Sequence, residues 1–183
     1  MKKTILTFGL ISGAISSLMM VATVPFVDKI GFDKGEILGY TVIVLSFLMV
    51  FFGIRSYRDN AGHGQITFTK AFAVGMSITL ISCIFYVVTW EILYFKFLPD
   101  FMDKYNAHIV EQLKASGASA AAIQGQLEQM KKFKEMYANP FFNALITFIE
   151  PFPVGLVITL ISAAVLRRKP HSQPAQSPLP ASS

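Results

Sequence analysis

The chain has 183 residues, 53% hydrophobic and 15% charged, with a formal net charge of +5 and a mean hydropathy of +0.52. That is too apolar for an ordinary water-soluble domain, and the apolar residues fall in long blocks between short charged stretches, the pattern of a polytopic membrane protein. One domain is expected, and a lone cysteine, Cys83, rules out an intrachain disulfide.

The first apolar block, about 4–27, follows Lys2 and Lys3. Its apolar core of roughly twenty residues exceeds the roughly 7–15 of a cleaved signal peptide. Met20-Val21-Ala22 is also a poor cleavage site, so the block reads as an uncleaved spanning helix. Gly9, Gly13 and Ser17 recur every four residues as a stripe of small side chains that lets a second helix approach. Residues 28–36, with Asp28, Lys29, Asp33, Lys34 and Glu36, read as a short loop before a second span over 37–54. Residues 55–65 read as a polar turn, after which Thr67 caps a third span over 68–97 that stops before Pro99. That span is longer than the hydrocarbon requires, so it should tilt or project. Tyr86, Trp90 and Tyr94 near its far end resemble an interfacial aromatic belt.

In the polar stretch 99–138, Phe101, Tyr105, Ile109 and Leu113 repeat every four residues, and Gly117 offers a helix stop. Ser119 can cap a second helix on which Ile123, Leu127, Met130, Phe133 and Tyr137 share a face. This reads as a helical hairpin whose stripes pack on each other or lie on lipid. A fourth span over 140–166 runs into Arg167-Arg168-Lys169, and 170–183 reads as a disordered cytoplasmic tail rich in Pro and Ser. The expected fold is all-α: an integral membrane bundle of four transmembrane helices with an extracytoplasmic helical hairpin between helices 3 and 4.

Charge placement orients that bundle. Lys2, Lys3, Arg55, Arg58, Lys70, Arg167, Arg168 and Lys169 fall on one side with Asp59 as the only acid, while the other side is nearly balanced. By the positive-inside rule both termini and the 55–70 turn are cytoplasmic, and the hairpin lies outside. The positive charge then marks topology and contacts with anionic lipid, made by Arg55, Arg58, Lys70, Arg167, Arg168 and Lys169, and no nucleic acid is implied.

Within the fourth span, Glu150-Pro151-Phe152-Pro153-Val154-Gly155 puts a carboxylate, two prolines and a glycine into apolar surroundings. Each is costly in lipid, so companion helices must shelter them. By helical rise, Glu150 lies about 25 Å from Arg167, and Glu91, on the third span, about 30 Å from Lys70. Glu150, with Pro151, Pro153 and Gly155, is the candidate functional acid. Glu91 is the weaker one, expected to reach headgroups or pair with Lys96. Two geometries are open at Pro151. The helix breaks with Glu150 as the cap of a new segment, or it kinks with Glu150 protonated or hydrogen-bonded to a neighbouring helix. His63, His108 and His171 lie on different segments without ligand spacing, so no metal and no cofactor are expected.

Several motifs together resemble a known family. They are Gly53-Ile54-Arg55-Ser56-Tyr57-Arg58-Asp59, then Ile66-Thr67-Phe68-x-Lys70-Ala71-Phe72-x-Val74-Gly75, and Ala115-Ser116-Gly117-Ala118. Met136-Tyr137-x-Asn139-Pro140, Glu150-Pro151-x-Pro153-Val154-Gly155-Leu156 and the closing Leu-Ile-Ser-Ala complete the set. Over about 3–169 the chain resembles the "domain of unknown function 4199" membrane proteins. The resemblance implies a small bacterial inner-membrane protein with four helices and carries over no catalytic residue.

Two functions follow as expectations. The first is a non-enzymatic accessory or interaction protein using the hairpin, with a membrane protein or a second copy as partner. The alternative is a small transporter or ion/proton-coupled protein using Glu150. A lipid-modifying enzyme would want more convergent polar groups than Glu91, Glu150 and Asn143 supply.

Overall fold

The computed structural model describes residues 1–168 and is all-α there. In chain order the helices are α1 (Lys2–Thr23), α2 (Val27–Ile30), α3 (Phe32–Ala61), α4 (Phe68–Ile92), α5 (Phe101–Ala115), α6 (Ala120–Tyr137), α7 (Pro140–Ile149) and α8 (Pro151–Leu166). A 3-10 turn at Val24–Phe26 links α1 to α2, and a π turn at Leu93–Phe97 prolongs α4. Four helical runs, Lys2–Ile30, Phe32–Ala61, Phe68–Phe97 and Pro140–Leu166, are long and apolar enough to cross a membrane. The tail expected over 170–183 and the basic residue Lys169 lie outside the described residues.

Two connections differ from the sequence reading. Residues 28–36, expected as a loop, are helical except at Gly31, and residues 55–61, expected as part of a turn, continue α3. Lys, Glu and Arg are good helix formers, so charge alone does not end a helix that runs past its apolar stretch. What interrupts the chain is Gly31, whose φ of +88° is open to glycine and strained for other residues. Helix starts are set locally. Thr67 accepts from the Lys70 amide at 3.4 Å, Ser119 from the Ala122 amide at 3.3 Å, and Asn139 from the Phe141 amide at 2.9 Å with Pro140 at the first helical position.

The helix α4 packs against α1, α3, α7 and α8. Ile43, Phe47, Val50 and Ile54 of α3 meet Val74 and Ile78 of α4 and Leu166 of α8 in the main core. Along α1, the small side chains face α4. A Cβ added at Gly13 would come within 2.7 Å of the Phe85 side chain, and the Ser17 and Thr89 hydroxyls are 2.8 Å apart. Polar side chains inside this core are paired: the Ser12 hydroxyl donates to the Ser46 carbonyl at 2.9 Å, and those of Thr79 and Thr159 are 3.0 Å apart. Outward faces stay apolar, with Leu18, Ile37, Phe141 and Val165 each about two-thirds exposed or more.

The helix pair α5–α6 turns at Gly117, also at positive φ. Its apolar stripes do not pack on each other alone. The Phe32 ring, at the start of α3, sits 5.8 Å from Phe101, 5.6 Å from Tyr105 and 5.2 Å from His108, and Trp90 of α4 sits 5.0 Å from Phe101. Phe133 of α6 rests on Phe142 of α7. Exposed ion pairs, Lys104 with Asp28 and Lys134 with Asp103, ring these contacts. The Asp28 carboxylate bonded to Lys104 holds its ammonium above the usual lysine pKa.

Candidate functional site

The site begins with a local conflict. A residue before proline is normally pushed out of the α region, yet Glu150 is held there at φ −68°, ψ −60°. The helix therefore kinks between α7 and α8, with Pro151 buried at the first position of α8. Glu150 makes no side-chain cap bond. The structure combines the two geometries left open by the sequence: α8 restarts at Pro151, but Glu150 is hydrogen-bonded to a neighbouring helix instead of capping it. The carboxylate turns to α4, where the Tyr86 hydroxyl donates to Oε2 at 2.9 Å.

Below Glu150 on the same face of α7, at helical spacing, come Thr147 and Asn143. Asn143 is fully buried. It donates to the Tyr137 carbonyl at 3.2 Å and accepts from the Thr147 hydroxyl at 3.2 Å. Trp90 Nε1 donates to the Tyr137 hydroxyl at 2.8 Å, and burial pushes that phenol above its usual pKa. The network ties α4, α6 and α7 together around one polar strip.

That strip opens on a cavity of about 510 Å³, within the roughly 300–1,000 Å³ usual for small-ligand sites. Its lining includes Ser16, Ile43, Tyr86, Thr147 and Glu150. Glu36 and Tyr40, one turn apart on α3, line the wall, and Phe101 and Tyr105 of α5 face them from the helix pair. At the outer end Asp33 accepts from Gln112 Nε2 at 2.9 Å and lies 3.1 Å from His108 Nε2. From Asp33 to Ile43, both on the lining, is ten residues of α3, a length of about 15 Å by helical rise. Among the described residues neither Glu36 nor Glu150 belongs to an ion pair.

The other expected site residues are placed elsewhere. Pro153 is exposed and lines no part of the cavity. Gly155 is a packing position: a Cβ there would fall 2.5 Å from Thr79 Cγ2 and 2.9 Å from Phe47 Cζ. Glu91 is not brought to Glu150, and the expected pairing with Lys96 is not formed. Its Oε1 is buried without a hydrogen-bond partner among the described residues. The basic residues gather at the opposite end of α3 from the helix pair. There Arg55 and Arg58 engage Asp59, at 3.7 and 2.7 Å, and Lys70 Nζ lies 5.9 Å over the Tyr57 ring. Arg168 exchanges two backbone hydrogen bonds with Ile66, and the side chains of Arg167 and Arg168 stay exposed. Glu36, Tyr40 and the Asp33–His108–Gln112 cluster were missed in the sequence. The available signal was Asp33, Glu36 and Tyr40 at helical spacing, running from a segment taken for a loop into the second span.

No curated protein and no solved structure matches the chain. A family model described as "Protein of unknown function (DUF4199)" matches residues 7–168, a range that holds the kinked helix, the cavity and the helix pair. By that match the chain belongs to the DUF4199 family.

Proposed function

We propose that this is a four-span protein of the bacterial inner membrane, with both termini cytoplasmic and the α5–α6 hairpin outside, and that it admits an ion, a proton or a small ligand to Glu150. The observation that carries this is the Glu150 carboxylate, on an apolar kinked helix, opening onto a cavity of about 510 Å³ with Tyr86 as hydrogen-bond donor. An ionisable group among membrane helices is a functional site by default, because its solvation cost selects against it otherwise. The exposed aliphatic faces of the four long helices support insertion. The exposed Arg55, Lys70, Arg167 and Arg168, with the mostly buried Arg58 beside them, support a cytoplasmic, lipid-facing end.

The role is non-enzymatic in this reading. The polar groups at the site form a hydrogen-bonded strip, and none of them pairs a nucleophile with a base. Proteoliposomes carrying the full chain should show proton or cation flux that Glu150→Gln reduces at least tenfold. Equal flux in the two would remove the proposal. A second reading, a partner protein or second copy bound through the hairpin, draws on the exposed Leu127 and Met136 of α6. Crosslinking in membranes that recovers neither a neighbour nor an oligomer would remove it.

A further inference from the structure

Resting on that reading of Glu150, the identity of the occupant can be narrowed by charge and shape. The cavity lining includes three carboxylates, Asp33, Glu36 and Glu150, and no lysine or arginine among the described residues. Asp33 is engaged by Gln112 and by His108, the one histidine of the lining. Glu36 and Glu150 line the same cavity and belong to no ion pair among the described residues. Both are exposed onto that space, and its negatively charged lining favours a cation over an anion there.

The form of that cation follows from what surrounds the charge. The three acids do not converge into a ligand cluster of the kind that holds a metal ion. They are spread along a cavity whose walls carry Phe32, Tyr40, Tyr86, Trp90, Phe101 and Tyr105. Aromatic faces attract alkylated ammonium groups, whose charge is diffuse and weakly hydrated, and they add apolar contact for the body of the ligand. We infer that the cavity beneath the helix pair binds an organic cation, an alkylated ammonium group with an apolar body, held between Glu36, Glu150 and this aromatic wall. The ammonium can belong to a free amine or to a lipid headgroup.

Trp90 is the only tryptophan in the chain and lines the cavity, so its fluorescence reports occupancy. The full chain in maltoside micelles is titrated with tetrabutylammonium, with sodium at matched ionic strength, and with the uncharged tributylphosphine oxide. Tetrabutylammonium should give a saturable change that sodium does not, and Glu150→Gln and Glu36→Gln should each weaken it at least tenfold. Competition by dihexanoylphosphatidylcholine but not dihexanoylphosphatidylglycerol assigns the group to a lipid headgroup; no competition by either assigns a free cation. If the uncharged probe saturates equally well and both Gln variants bind like the parent, the cation is overturned while the cavity stands as a site. If no probe moves the Trp90 signal, the inference and the cavity reading fall together.

Discussion

At the residue scale the site depends on Tyr86 holding Glu150. A hydrogen bond to a charged acceptor contributes about 1.5–3 kcal/mol and a neutral one about 1 kcal/mol. Tyr86→Phe should therefore cost about 1–3 kcal/mol in reversible unfolding from mixed micelles. Glu150→Gln should cost less, because its amide oxygen still accepts the bond. A loss below about 0.5 kcal/mol for Tyr86→Phe would mean the contact is incidental. Gly155 is tested against Gly125. A methyl at Gly155 collides with Thr79 and Phe47, whereas a methyl at Gly125, inside α6, meets nothing within 4 Å. Gly155→Ala should destabilise by about 1–3 kcal/mol through overpacking. Gly125→Ala should stabilise by up to about 1 kcal/mol through helix propensity. The same unfolding measurement reads both, and a reversed order would contradict this packing.

At the scale of elements, the docking of the helix pair is decided by size of effect. Lys104–Asp28 and Lys134–Asp103 are exposed pairs, each of the kind that contributes little in water. What the Lys104 pair contributes is present below about pH 10 and is lost as the pH rises through the raised lysine pKa. Phe32 touches three rings of α5, and each such ring pair adds about 0.5–1.5 kcal/mol beyond burial. Phe32→Ala should expose the α5 amides to hydrogen exchange and the turn at 116–119 to protease, while Lys104→Gln should leave both nearly unchanged. The opposite ranking would mean the pair is held by charge.

The elements also show what a sequence can carry. Thr67, Ser119 and Gly117 mark helix ends through bonds and dihedrals within four residues, and all three were readable; the Asn139 cap was not read. Glu150 stood out because a charge beside prolines in an apolar run is costly wherever it is. Glu36, Tyr40 and Tyr86 were not readable as its companions. They lie 114, 110 and 64 positions from Glu150 (150 − 36, 150 − 40, 150 − 86), and only tertiary packing joins them. The stretch 28–36 was misread for a related reason. Its charges looked like a loop, although they flank one glycine between two helices that leave the apolar zone.

For the whole molecule, the two ends of α3 are chemically unlike. One end, at Asp33 and Glu36, opens on the acidic cavity under the helix pair; the other, at Arg55 and Arg58, joins the exposed Arg167 and Arg168. In the proposed four-span arrangement those ends lie on opposite faces of a membrane, with Glu150 reached from the face that carries the helix pair. The most direct test is side-specific labelling of single cysteines at Lys131 and Arg167 with a membrane-impermeant maleimide. Cys83 is fully buried and gives little background. Lys131→Cys should label from outside intact cells, and Arg167→Cys only after the membrane is opened. Labelling of both from the same side would contradict the four-span arrangement and the placement of Glu150 with it.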